Sequence, residues 1–452
     1  MSNTQRAAYE GVMSNPQPLP EPVELDRAPG DATGIVLPAH GDALMEDGAP
    51  WLTAAFRRFG SLPADNAVER IVRLEKCPGG STGAKFLLDI EYARPDPALR
   101  TALFVKFSRD FTDRRRDHPG RYEMASEAPF MALARQPGFP IATAEPYFAD
   151  YDEATGTGIV ITERIAFGEE AGGRHVESHR PKTLDFATMG DPLPYYQAIV
   201  TALARMAAAH KAGQLSSEVE MLFPWHPATG SADPIRQDAE TLDVQLAQSR
   251  AFVERAPQHF PAGVRSADFL ARFHREVLQV RENESAIQAF LTGDPRMIAL
   301  NHWNAHIDNA FFWRQTEGLH CGLIDWGRAG QITFGAALWG GLSAAHHDVW
   351  DKHLDDLLGL FVEEYRSGGG PAITARELEE HLMVHVAAMG VARVLAFPEI
   401  IEFRLPGIFE ASGPRDPAVL AVEPARNCLH TFTVFLKLWE AREIGRRAMR
   451  IS

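Results

Sequence analysis

The residues with the most chemical potential lie between 300 and 326, where His302, Asn304, His306, Asp308 and Asn309 run into the apolar stretch Ala310-Phe311-Phe312-Trp313. A second apolar stretch over 319–324 follows a Glu317-Gly318 turn and delivers Asp325. Two short strand-type runs joined by a glycine-containing turn predict a β-hairpin, with Asn309 and Asp325 as neighbours at its open end. An amide and a carboxylate side by side are oxygen ligands suited to Mg²⁺, which needs one or two protein ligands and takes the rest from water or phosphate. His302 and His306 supply imidazoles that move protons near neutral pH, Asp308 adds a carboxylate, and Trp303 and Trp326 offer stacking faces.

The string Asn301-His302-Trp303-Asn304-Ala305-His306-Ile307-Asp308-Asn309, followed by Ile324-Asp325-Trp326, resembles the catalytic loop and metal-binding segment of aminoglycoside phosphotransferases and choline kinase-like small-molecule kinases. The usual string there is His-Gly-Asp, an aromatic residue or His two positions on, Asn three positions later, and then Ile-Asp-Trp. Here Trp303-Asn304 stands in place of Gly-Asp. In that family the replaced Asp accepts or orients the proton of the attacking hydroxyl. An amide cannot accept that proton at neutral pH, so Asn304 can orient a hydroxyl but not act as its base. Losing such a base costs on the order of 10²–10⁴ in rate, while phosphoryl transfer rests mainly on positioning and metal electrostatics. The family's second Asp, which braces the catalytic loop, is also missing, since residues 333–339 contain no carboxylate.

The elements that must position these residues follow in chain order. Residues 1–45 mix Pro, Gly, Glu and Asp without periodicity and read as an extended arm. Helical spacing begins near Trp51, with Ala55 and Phe59 on its face. Strand-type runs then occupy 68–74, 86–92 and 102–107, the first two joined by Pro78-Gly79-Gly80-Ser81-Thr82-Gly83. A glycine-rich turn lets backbone N–H groups approach phosphate oxygens, although Gly is also the ordinary hairpin residue. Lys106 sits in an apolar strand, where its ammonium needs a partner. Glu127 in the helix over 122–134 is one candidate and Glu123 another, because Pro129 disturbs the register. Arg114-Arg115-Arg116 reads as a solvated loop. The strand-type run 158–165 ends in polar residues near Glu163, and the stretch 166–190 reads as a loop bordering a cleft. Helices follow over 192–212, 234–255 and 266–291, the first carrying His210, and further helices run to the C-terminus, where they are expected to close the back of the cleft or supply a homodimer surface. His346, His347, Asp348 and His353 lack the spacing of a helical metal pair.

The resemblance, which covers about 50–350, implies an α+β, bilobal protein-kinase-like fold with a small antiparallel-sheet N-lobe over 46–165 and a larger, mostly helical C-lobe over 166–452. It implies ATP and Mg²⁺ as cofactors, with Gly79, Gly80 and Gly83 over the phosphates, Lys106 on the phosphate oxygens and Glu127 orienting Lys106. Glu163 would lead into the hinge that holds the adenine, Asn309 and Asp325 would hold the metal, and His302, Asn304, His306 and Asp308 would surround the transfer step.

Composition narrows the partners. A net charge of −15 argues against an extensive nucleic-acid or anionic-membrane surface and favours a small-molecule substrate. The three cysteines, Cys77, Cys321 and Cys428, are too scattered for a disulfide framework or zinc site, so a reducing cytoplasm is expected. No stretch is apolar for the roughly 18 residues a membrane span needs. Three readings follow: a small-molecule kinase; a lyase acting on an aromatic or hydroxylated molecule in a nucleotide-free cleft with Trp303, Trp326, His302 and His306; and a nucleotide-binding pseudokinase.

Overall fold

Alternation in the strand Ala102–Phe107 sets the architecture of the smaller lobe. Leu103, Val105 and Phe107 are fully buried on one face, and Lys106 points from the other. The computed structural model describes residues 25–171, 174–316 and 318–451. In chain order its first elements are strands β1 (Arg27–Pro29) and β2 (Val36–Pro38), helix α1 (Gly41–Phe59), strands β3 (Val68–Lys76), β4 (Ala84–Tyr92) and β5 (Ala102–Phe107), helix α2 (Arg114–Ala134), and strands β6 (Pro146–Asp152) and β7 (Thr157–Glu163). Strands β3 to β7 form one antiparallel sheet in the order β3-β4-β5-β7-β6. Leu44, Leu52, Ala55 and Phe56 of α1 cover the apolar face of β5 in a single core. Helix α2 lies against β6 and β7.

The arm expected over 1–45 differs over its described part, and residues 1–24 lie outside the described residues. Residues 27–38 form a hairpin, and α1 already starts at Gly41. Buried Asp150 on β6 anchors this hairpin by accepting from the amides of Ala32 at 3.1 Å and Thr33 at 2.8 Å. A contact 118 residues away in sequence leaves no local signal. The arginine run is also corrected: Arg114 opens α2, capped by Asp113, whose side chain accepts from the Arg115 amide at 3.0 Å. The helix continues through Pro129, which costs roughly 3 kcal/mol in an isolated helix. Burial of Ala128, Phe130 and Met131 on that turn offsets it.

The larger lobe is mostly helical around one core. It contains helices α3 (Leu193–Lys211), α4 (Ala239–Arg255) and α5 (Ala267–Glu282), strands β8 (Ile298–Asn301), β9 (Ala310–Gln315), β10 (Gly318–Leu323) and β11 (Gly330–Thr333), and helices α6 (Phe334–Leu342), α7 (Leu354–Ser367), α8 (Ala375–Ala392) and α9 (Glu423–Ala441). The mixed α+β class, a small antiparallel sheet beside a mostly helical part, is as expected. Strands β9 and β10 pair from Ala310↔Leu323 to Gln315↔Gly318, and Glu317 of the expected turn lies outside the described residues. Buried His210 accepts the Leu300 amide at its Nδ1 at 3.2 Å and so fixes β8, which leads into the 302–309 loop. Among the described residues no single helix is long and apolar enough to cross a membrane.

Asp150→Ala should destabilise the protein by about 1–3 kcal/mol, because the amides of Ala32 and Thr33 lose a charged acceptor. Urea unfolding measures that loss, and amide exchange should accelerate over 27–38 while the Lys106 region stays protected.

Candidate functional site

Lys106 is the meeting point of three elements. From β5 its ammonium reaches Glu127 Oε2 of α2 at 2.7 Å and Asp325 Oδ1, which follows β10, at 2.6 Å. Lys106 is 5% exposed and Glu127 4%. Burial alone would drive the proton from Lys106, but the two carboxylates outweigh it and hold the pKa above the ordinary lysine value. Asp325 is held well below the usual carboxylate range, first by the Lys106 ammonium. Burial pushes Glu127 upward against the pull of Lys106. Of the two expected candidates Glu127 takes the pair. Glu123, one turn earlier, lies beside the segment after Asp325: its carbonyl accepts the Arg328 amide at 3.2 Å, and a Cβ on Gly327 would stand 3.4 Å from its Oε2 and 3.6 Å from Lys106 Nζ.

The loop between β8 and β9 is locked through its backbone. Buried Asn301 donates from Nδ2 to the Leu203 carbonyl at 3.0 Å and accepts the His302 amide at 2.9 Å. His302 Nδ1 accepts the Asn304 amide at 3.0 Å, which leaves Nε2 to donate to the Ile324 carbonyl at 3.0 Å. Both ring nitrogens are therefore committed and burial lowers the pKa to about 4, so His302 fixes the loop rather than moving protons. The Asn304 carbonyl accepts from Asn309 Nδ2 at 2.9 Å. The Asn304 side chain itself makes no hydrogen bond among the described residues.

That bond orients Asn309, since its amide nitrogen is occupied and its oxygen is the free end. The Ile324 amide donates to the Asn309 carbonyl at 2.9 Å, which brings Asn309 to the side of Asp325 as the hairpin predicts. Asp325 adopts φ 63°, a left-handed conformation that costs a non-glycine residue roughly 1–2 kcal/mol, and its side chain is 40% exposed. An ionised, accessible carboxylate beside a free amide oxygen fits Mg²⁺, whose remaining ligands come from phosphate and water. Among the described residues no three His, Cys, Asp or Glu side chains gather as a self-contained metal site. His346 instead caps a helix, and His347 stacks on His430 with centroids 5.0 Å apart.

Other expected site residues are engaged elsewhere. Trp326 is 1% exposed, stacks on Phe130 at 3.8 Å and donates to the Leu323 carbonyl at 3.1 Å. It is a core plug between α2 and the loop rather than a substrate platform, a correction that follows from its large apolar area. Trp303 donates to the Gly327 carbonyl at 2.7 Å and lies under Arg328, whose guanidinium is 4.7 Å from the ring centre. Close packing backs the loop: a Cβ on Gly340 of α6 would fall 1.9 Å from the Trp303 carbonyl oxygen. His306 meets Ser343 Oγ at 2.8 Å and is lowered to about 3 by burial. Asp308 pairs with Lys182 at 3.3 Å, which ties the 174–190 stretch to the loop.

The glycine turn divides in function. Gly79 and Gly80 are exposed with φ 96° and 79°. Gly83 is buried, its amide donates to the Arg116 carbonyl at 3.0 Å, and a Cβ there would fall 1.9 Å from the Phe107 carbonyl oxygen. Gly83 thus serves close packing of β4 on α2. Glu163 pairs with Leu103 in the sheet and so shares the face opposite Lys106, where its side chain accepts the Glu145 amide at 3.2 Å and meets Arg100 at 3.4 Å. Only its backbone borders the inter-lobe segment. Lys85, which sequence reading passed over, stands directly opposite Lys106.

No family model matches the chain, and no curated protein matches it. It is similar to solved structures. A choline kinase from Cryptosporidium parvum Iowa II shares 11% identity, with 84% of this chain and 91% of that one covered at a TM-score of 0.41. A choline/ethanolamine kinase family protein from Mesorhizobium loti shares 15% over 90% and 100%, at 0.37. A spectinomycin phosphotransferase in complex with ADP and spectinomycin shares 11% over 84% and 94%, at 0.36.

The lock on His302 has a pH consequence. Its folded-state pKa of about 4 lies below the unfolded value of about 6.5. Its neutral burial therefore contributes stability that is fully present above about pH 6.5 and lost as pH falls towards 4, roughly 3 kcal/mol in all. An imidazole NMR titration should find His302 as the Nε2–H tautomer at neutral pH. Titration near the ordinary histidine value would show that the lock does not hold.

Proposed function

We propose that the protein binds ATP with Mg²⁺ in the cleft between its lobes and is a small-molecule phosphotransferase whose transfer step is slowed by Asn304. The observation that carries this reading is the Lys106 ammonium held between Glu127 at 2.7 Å and Asp325 at 2.6 Å. Such a cation, fixed in place and kept protonated, suits phosphate oxygens as a point charge. Asn309 and Asp325 would hold Mg²⁺, which when bound neutralises charge on the phosphates. Asn304 and Asp308 border the place of the attacking hydroxyl, and Asn304 orients without accepting a proton.

A second reading, nucleotide binding without transfer, is favoured by one observation. The only side chain at the base position is an amide, His302 is buried with both ring nitrogens hydrogen-bonded, and the Nε2 of half-buried His306 is held by Ser343. The lyase reading required open stacking faces and a proton-exchanging imidazole. Burial of Trp326, cover of Trp303 by Arg328 and the double engagement of His302 weigh against it.

Thermal unfolding tests the nucleotide site. ATP with Mg²⁺ at about 100 times its dissociation constant should stabilise by about 2.7 kcal/mol, a shift of a few degrees, over Mg²⁺ alone or EDTA. Absence of a shift at millimolar nucleotide would sink both nucleotide readings.

Asn304→Asp separates the two. As a kinase limited by its missing base, the variant should transfer phosphate to hydroxyl acceptors, or hydrolyse ATP, ~10²–10⁴ times faster than wild type. A variant that still binds ATP but gains no turnover points to binding alone.

A further inference from the structure

Strands β4 and β5 place Lys85 directly opposite Lys106 on the same face of the sheet, where like charges repel. Lys106 is neutralised by Glu127 and Asp325. Lys85 is not: among the described residues its ammonium makes no hydrogen bond or close ion pair, and it feels Asp325, Glu127 and Glu123 only from a distance. Its own position is partly buried, and burial followed by the Lys106 charge weighs against its protonated form. The ammonium ends against the glycine turn, since a Cβ on Gly80 would fall 2.2 Å from Lys85 Nζ. Gly80, at φ 79°, leaves the gap into which the lysine reaches.

An unpaired, partly desolvated ammonium beside a second lysine, under a turn with bare backbone, is a costly arrangement in isolation. A polyanion relieves it. We propose that Lys85 is a phosphate-contact residue, which together with Lys106 holds a di- or triphosphate chain beneath the Gly79-Gly80 turn. The inference rests on the nucleotide reading above and adds to it a second cation from the neighbouring strand. Lys106, already shared between two carboxylates, then serves mainly to fix position, and Lys85 supplies uncompensated charge.

Amine acylation of the full chain, quantified at Lys85 by mass spectrometry, tests this alongside thermal unfolding, with ATP–Mg²⁺ and inorganic tripolyphosphate–Mg²⁺ as probes. With ATP at about ten times its dissociation constant, Lys85 acylation should slow roughly tenfold. Lys85→Met should weaken ATP binding at least about tenfold, as loss of a charge-assisted hydrogen bond does, and Lys85→Arg should restore much of it. ATP that raises the unfolding midpoint but leaves Lys85 acylation and the Lys85→Met affinity unchanged would overturn the assignment while the nucleotide site stands. Shielding by tripolyphosphate but not by ATP would keep the phosphate contact and overturn the nucleotide reading. No effect of either probe on midpoint or acylation would overturn both.

Discussion

A lysine ammonium withdrawn from water at the junction of the lobes is the constraint on which the rest of the structure depends. Removing one ion from solvent costs several kcal/mol, repaid only when partners meet it with good geometry. Lys106 has two partners, one from helix α2 and one 219 residues further along the chain. Each partner is a separate ion pair to the same ammonium, so β5, α2 and the segment after β10 cannot move independently without breaking one of them. Apolar packing follows the same line: Phe130, one turn beyond Glu127, stacks on Trp326, the residue after Asp325. The ion pairs set which atoms meet, and the stacked rings supply the adhesion that holds them there.

From that junction the functional loop is held by main-chain atoms. His302 links the Asn304 amide to the Ile324 carbonyl, and Asn309 links the Asn304 carbonyl to the hairpin. Asp325 and Arg328 both take left-handed backbone conformations, φ 63° and 62°, a strain that persists only where the surroundings over-determine it. The Trp303 hydrogen bond to Gly327 and the Arg328 ring contact lie across that same turn. Close approach of α6 at Gly340 backs the loop from the other side.

Much of this was legible in the sequence because it is local. The β9–β10 hairpin follows from two apolar runs and a glycine, and it alone brings Asn309 to Asp325. Lys106 in an apolar strand had to find a carboxylate, and helical spacing offered two. What escaped was set by distance or by the second dimension of the sheet. Lys85 looks like an ordinary strand lysine until the β4–β5 register puts it across from Lys106. The Asp150 anchor of the first hairpin joins segments with no shared pattern. Trp326 read as a stacking face because type alone cannot separate an aromatic in a cleft from one in a core. Gly83 read as part of a phosphate turn, yet it is the neighbour of Phe107 and α2 that demands a missing side chain there.

Position 304 carries a side chain that the loop itself does not use. Every bond that residue 304 makes to the loop uses its backbone amide or carbonyl, so its side chain is free to vary without loosening Asn309 or Asp325. The geometry of the loop and the chemistry of the side chain at 304 are thus held by separate atoms. A change in the second does not unravel the first, because the Lys106 junction and the His302 lock are complete without it. A scaffold of this kind keeps its charge arrangement intact whichever group stands at that single unencumbered position.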